Sequence, residues 1–216
     1  MNLLCVLARV PSAGSGKSRL RATLGDATTD RLARAFVEDV LDWPQDVADG
    51  LLVAHAGPVS LLPPAGSRAI LVAQVDGDLG DRIAAAVDDG FARGATRVVI
   101  VGTDCPTLPA ALLAAAFSGL SYAPSTVIPA ADGGWIALGV DRPLGRILDG
   151  VTWSSARAGK QTIEALRADG RRPLVLPPWY DIDEPADLDR VGAETAALAR
   201  APRTAAALAE MRSGVG

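Results

Sequence analysis

The sequence predicts a three-layer α/β/α sandwich on a mainly parallel sheet, and three observations carry that expectation. Short apolar runs alternate with amphipathic helical stretches, the pattern of successive strand-helix-strand units. The run RVVIVG at 97–102 is apolar on both faces, as expected of a strand covered by helices on each side. Two further apolar runs are joined by Asp132-Gly133-Gly134, a turn-forming triplet that calls for at least one antiparallel strand.

Taken in order, apolar runs of strand length lie at 3–8, 51–56, 69–73, 98–101, 126–130, 135–140 and 173–176. Between the first two, DATTDRLARAFVEDVL places Leu32, Ala35, Phe36, Val40 and Leu41 on one helical face and starts with an acid suited to a helix N-terminus. A second helix, DLGDRIAAAVDDGFARGA, is stopped at Gly94, and a third, PAALLAAAF, is opened by Pro109. A short helix starts near Pro185, after YDIDEP. From residue 192 the chain is Ala-rich, with Leu198, Ala201, Ala205, Leu208 and Met211 as packing positions. Residues 1–191 are therefore expected to form one domain, with 192–216 its helical appendage.

Composition narrows the function. A chain of 216 residues, 49% hydrophobic, can bury a single sizeable core. A formal net charge of -4 excludes broad electrostatic attraction to nucleic acid or anionic membrane. Two cysteines, Cys5 and Cys105, suit free thiols in a reducing cytoplasm. MNLLCVLARV lacks the basic start of a signal peptide, and no stretch is apolar for long enough to span a bilayer. The expectation is a cytoplasmic protein whose Ala-rich end could pack against a second copy as a homodimer.

The stretch ARVPSAGSGKSRL, residues 8–20, raises the question of a phosphate cradle. A Walker A loop needs a glycine five residues before the one preceding its lysine; counting back from Gly16 gives Pro11, which has no N–H and a fixed φ. That weakens the P-loop reading, for which VVIVGTD could supply a Walker B strand, without removing it, and two other readings stand beside it. Gly14 and Gly16 either turn the chain and leave Lys17 and Arg19 in solvent, or let the backbone approach a phosphate that those cations neutralise.

Three acids stand out. Asp104 follows VVIVGT and so falls at the C-terminal edge of the sheet, where open α/β folds bind ligands; it is a metal ligand or the start of a turn before Pro106. Asp183, in YDIDEPADLDR, is a second metal ligand or a helix cap. Asp132, beside Gly133 and Gly134, holds or deprotonates an acceptor hydroxyl, or makes an ordinary Asp-Gly turn. The single histidine, His55, sits in an apolar run and gives little support to a His-dependent triad or a His/Cys metal site.

Together, ARVPSAGSGKSRL, AQVDGDLGDRI, VGTDCPTLP, PAADGGW, VTWSS and YDIDEPADL, in that order, resemble a family of bacterial glycosyltransferase-like proteins of the DUF2064 type. That family belongs to the nucleotide-diphospho-sugar transferase superfamily, with the GT-A fold, and is more distantly similar to phospholactate and molybdenum-cofactor guanylyltransferases. The resemblance covers nearly all of 1–191 and implies a nucleotide-binding transferase domain there.

It further implies that Arg9, Lys17 and Arg19 contact nucleotide phosphates, with Gly14 and Gly16 shaping the loop, and that Gln74, Gly77 and Gly80 line the nucleoside pocket. Asp104 and Asp183 would bind Mg²⁺ or Mn²⁺, while Asp132, Gly133, Gly134 and Trp153 face the second substrate. Lys17, Asp104 and Asp132 are the catalytic candidates. Two positions depart from the pattern: Glu184 stands where Thr is common, and Trp135 where Tyr is usual.

The expected activity is metal-dependent transfer from an activated nucleotide, first as glycosyl transfer from a nucleotide-diphospho-sugar to a small-molecule acceptor. One alternative is nucleotidyl transfer from an NTP to a phosphorylated small molecule with release of pyrophosphate, which Lys17 and Arg19 favour through their charge. The other is a nucleotide-binding module without turnover.

Overall fold

In a computed structural model of the chain, which describes residues 1–12, 14, 16–43 and 47–214, seven strands form one sheet. They are β1 (Asn2–Arg9), β2 (Gly50–Ala56), β3 (Ile70–Ala73), β4 (Arg97–Gly102), β5 (Ser125–Pro129), β6 (Trp135–Val140) and β7 (Pro173–Val175). The spatial order is β3-β2-β1-β4-β6-β5-β7. Every predicted apolar run is a strand.

β6 is the reversed strand: it pairs antiparallel with both β4 and β5, whereas the other neighbours are parallel. The Asp132-Gly133-Gly134 turn produces that reversal by joining β5 to β6, with Pro129 opposite Trp135.

Among the described residues the helices are α1 (Ser18–Leu24), α2 (Asp26–Leu41), α3 (Leu79–Ala92), α4 (Ala110–Gly119), α5 (Ala158–Ala168), α6 (Pro185–Ala193), α7 (Thr195–Leu198) and α8 (Pro202–Arg212). The predicted helix at 26–41 matches α2 to the residue. Pro109 is the residue before α4 rather than its first helical residue, and α3 ends at Ala92, before Gly94. α1 and α5 had no forecast. α1 is seven residues long and contributes one buried side chain, Leu20, too short for an amphipathic period to register.

β1 shows how the layers form. Leu4, Val6 and Ala8 face α2 and α4, burying Val37, Val40, Leu113 and Phe117 in one core. The alternate residues Leu3 and Cys5 face α3 and α5, burying Ile83, Val87, Ala158 and Leu166 in a second core. Both cysteines are buried and free, and burial raises the thiol pKa of each.

A third cluster lies off the sheet. Leu20 of α1, Phe36 of α2, Tyr180 and Ile182 of the segment after β7, Val191 of α6 and Leu208 of α8 pack together. The buried Asp39 of α2 ties α8 into it, accepting from the Arg203 N–H at 3.1 Å, the Thr204 N–H at 2.8 Å and the Thr204 hydroxyl at 2.7 Å. The two N–H groups are orphan donors of the α8 N-terminus, satisfied from another helix. No helix among the described residues is long and apolar enough to cross a membrane.

Candidate nucleotide and acceptor site

The site begins with the turn out of β1. Gly14 and Gly16 take φ of 72° and 73°, and Lys17 follows at φ 48°, a left-handed conformation uncommon for a residue with a Cβ. Ala13 and Ser15 lie outside the described residues. Asp30 of α2 anchors the turn, accepting the Gly14 N–H at 3.1 Å and an Arg21 N–H at 2.7 Å. The hydrogen bond from Arg21 holds the Asp30 carboxyl below its ordinary pKa.

This backbone carries the Lys17 side chain back into the protein, where the ammonium finds three acceptors. Nζ donates to the Ile182 carbonyl at 2.6 Å and to Asp183 Oδ1 at 2.7 Å, and lies 2.7 Å from Asp104 Oδ1. The Phe36 ring lies below it, 5.4 Å from Nζ to the centroid. The Lys17 side chain is only 9% exposed, against 52% for Asp104 and 43% for Asp183. Burial pulls the Lys17 pKa down, but the two carboxylates outweigh it and hold the ammonium above its ordinary value.

The carboxylates meet through backbone pairing. Asp104 lies just beyond the end of β4, and its carbonyl accepts the Ile182 N–H at 2.8 Å, which lays the segment after β7 alongside it. The two readings of Asp183 separate cleanly. Glu184 is the N-cap of α6 in a capping box with Asp187, and Asp187 also accepts the Asp183 N–H at 3.0 Å. The cap is therefore made by neighbours, and the Asp183 carboxylate is left to face Lys17. Asp104 likewise gives its carboxylate to Lys17.

Arg19 pairs with Glu184 at 2.9 Å, so one departure from the family pattern takes up one of the expected phosphate cations. Arg9 runs beside Gly16, and no carboxylate pairs with it among the described residues. Of the three expected cations, it is the one left unpaired among the described residues.

Gln74 follows β3, and its amide donates to the carbonyls of Ala8 at 3.2 Å and Ala54 at 2.9 Å. It thus ties the ends of β1 and β2 together. The Gly77–Gly80 stretch opens α3: Asp78 caps the helix in a reciprocal box with Asp81. Gly80 packs against the Trp153 indole, where a Cβ would come within 3.0 Å of Nε1.

Trp153 meets Trp135 edge-on, with centroids 6.4 Å apart, and its buried Nε1 has no hydrogen-bond partner among the described residues. Asp132 makes the turn that its sequence allowed, accepting the Gly134 N–H at 2.9 Å on Oδ1. Gly133 touches the Ala156 carbonyl so closely that a Cβ would overlap it, and the Gly159 N–H donates to the Gly133 carbonyl at 2.9 Å. The Asp132–Gly134 turn is therefore braced by the start of α5.

One residue escaped sequence reasoning. Asp181 is half-buried, and its pKa is pushed up to about 6 by burial and by the charges of Asp183 and Asp132. Its signal was present in the alternation of YDID: Ile182 is buried, so the residues on either side share the opposite face. Two carboxylates thus hold the buried ammonium, and Asp181 feels the charges of Asp183, Asp132 and Lys17 beside them. No group of three or more His, Cys, Asp or Glu side chains is arranged to hold a metal ion among the described residues.

A three-layer sheet in this order, with β6 reversed and charged groups at the C-terminal edge, is the fold of the nucleotide-diphospho-sugar transferases. A solved protein of Desulfovibrio desulfuricans G20, provisionally named a nucleotide-diphospho-sugar transferase, is 26% identical, with 97% of each chain covered and a TM-score of 0.82. A cytidylyltransferase of Leptospira borgpetersenii serovar Hardjo-bovis (strain JB197) is 13% identical, covering 99% of this chain and 94% of its own, with a TM-score of 0.58. A CMP:2-keto-3-deoxy-manno-octonic acid synthetase complexed with CTP is 12% identical, covering 90% and 98%, with a TM-score of 0.56. At such identities the last two share the fold alone.

No curated protein matches the chain in sequence. The family described as an uncharacterized protein conserved in bacteria (DUF2064) matches residues 45–155, just over half of the chain. The chain belongs to that family.

Proposed function

We propose that this protein is a metal-dependent glycosyltransferase that moves a sugar from a nucleotide-diphospho-sugar to an uncharged hydroxyl acceptor. The observation that carries the reading is the convergence of Lys17 on Asp104 and Asp183 at the C-terminal edge of the sheet. The provisional name of the Desulfovibrio protein supports the same donor class.

The charges favour glycosyl over nucleotidyl transfer. A triphosphate needs more cations than a diphosphate, yet Arg19 is paired with Glu184 and Lys17 with Asp104 and Asp183, leaving Arg9 as the expected cation without a carboxylate partner among the described residues. A phosphorylated acceptor would also meet the carboxylates of Asp132 and Asp181, whereas a neutral hydroxyl finds hydrogen-bond acceptors there.

The donor set fits a hard divalent cation. Two half-exposed carboxylates suit Mg²⁺ or Mn²⁺, whose remaining positions are usually filled by water and phosphate oxygens. Asp104 and Asp183 would hold the ion, which would supply positive charge against that growing on the departing diphosphate. Arg9 binds the phosphates, Lys17 would join it only on leaving its two carboxylates, and the Gly14–Gly16 turn lets backbone approach them. Gln74 and the Gly77–Gly80 stretch border the nucleoside. Gly133, Gly134 and Trp153 seat the acceptor, and Asp132, oriented by the Gly134 N–H, takes the proton of the attacking hydroxyl.

The test supplies Mn²⁺, panels of nucleotide sugars and NTPs, and a cell metabolite extract. Release of nucleoside diphosphate is expected, lost at least 100-fold in Asp104→Asn. Release of pyrophosphate would replace this reading with nucleotidyl transfer, and no product from any donor would leave a nucleotide-binding module.

A further inference from the structure

Lys17 spends all three of its ammonium protons inside the protein, on Ile182 O, Asp183 Oδ1 and Asp104 Oδ1. The same two carboxylates are the donors of the proposed metal site. An ammonium and a divalent cation compete for this pair, because the ammonium fills the space between them and two positive charges in close contact repel strongly. A lysine so placed also cannot reach a phosphate.

From this competition we infer that Lys17 is a displaceable counter-ion: a divalent cation takes its place between Asp104 and Asp183, and the freed ammonium becomes available to the donor diphosphate. The inference rests on the metal site proposed above. Until the ion arrives, Lys17 neutralises two carboxylates that would otherwise repel each other across the cleft.

Release asks only that the Lys17 side chain swing off its two carboxylates: the backbone on either side stays held, at Gly14 by Asp30 and at α1 by Leu20 in the third cluster. The order of events follows: the metal-bound nucleotide, rather than the bare one, is the form that releases Lys17.

Two measurements without turnover test this. Calorimetric titration of nucleotide-free protein with Mn²⁺ should show Lys17→Met binding the ion at least tenfold more tightly than wild type. In wild-type protein, acylation of Lys17 by an amine reagent, followed by peptide mass, should accelerate at least tenfold as Mn²⁺ saturates. The second readout involves no substitution, and a change in overall site charge alone would not expose a lysine that stayed on its carboxylates. If Mn²⁺ binds wild type and Lys17→Met equally, is lost in Asp104→Asn, and leaves Lys17 protected, displacement is overturned while the metal site stands. If Mn²⁺ binds none of the three proteins, the metal site fails and the inference with it.

Discussion

Asp30 shows how far the loop depends on single residues outside the cleft. Its carboxylate holds the Gly14 N–H and the Arg21 guanidinium, and Arg21 keeps its pKa below the ordinary value. A carboxyl with a depressed folded-state pKa contributes stability that is present above the unfolded value of about 3.9 and lost as pH falls below it. Asp30→Asn should therefore be less stable than wild type at pH 7, by about 1 kcal/mol, and the gap should close as pH falls below 4. Denaturant midpoints at pH 7 and pH 3 check this, and a constant gap would refute it.

At the same scale, sequence and structure diverge over charge. The chain offers Lys17, Arg19 and Arg9 as equivalent cations, but contacts distant in sequence distinguish them. Glu184 occupies Arg19, the two acids occupy Lys17, and Arg9 is unpaired among the described residues. Asp183 and Glu184 are adjacent acids in one motif, yet one caps a helix and the other faces the cleft. Spacing cannot tell them apart, because the difference lies in which side of an extended segment meets Lys17.

Among the elements, the hairpin between β5 and β6 is the part of the site best written in the sequence. Asp132-Gly133-Gly134 announces a turn, and the turn forms with the Asp132 side chain closing it. Its rigidity was not legible, because it depends on α5, whose start presses on the turn from a segment more than twenty residues away. Gly133 has φ 94° and its missing Cβ would overlap the Ala156 carbonyl. Gly133→Ala should destabilise the protein by about 2 kcal/mol or more, since backbone strain and a clash with main chain act together. Gly14→Ala, at φ 72° with open space around it, should cost only about 1 kcal/mol. Urea unfolding of both variants compares them, and equal losses would refute the bracing role of α5.

On the scale of the whole molecule, the third cluster joins the C-terminal helices to the back of the site. Leu208 of α8 packs in the same group as Phe36, which lies under the Lys17 ammonium, and Ile182, whose carbonyl accepts from it. We expect residues 192–216 to unfold together with 1–191. Leu208→Ala should cost about 2 to 5 kcal/mol, the range for emptying a buried leucine site, and should lower a single thermal transition. Two separate transitions in calorimetry would show that the appendage folds independently.

The sequence by itself determined the layers and the direction of the reversed strand. Apolar runs of strand length, an amphipathic period at 26–41 and an Asp-Gly-Gly turn are local signals, and each acts within the few residues that carry it. It also determined that Asp104 ends up at the sheet edge, since a residue that closely follows a parallel strand emerges there. Tertiary structure alone decided which charges meet. Lys17 lies 87 residues from Asp104 and 166 from Asp183 along the chain, and the three converge because strand pairing and the Ile182–Asp104 backbone bond lay their segments side by side. An ion pair is specified by distance in space, and the period of a helix or strand carries no information about it.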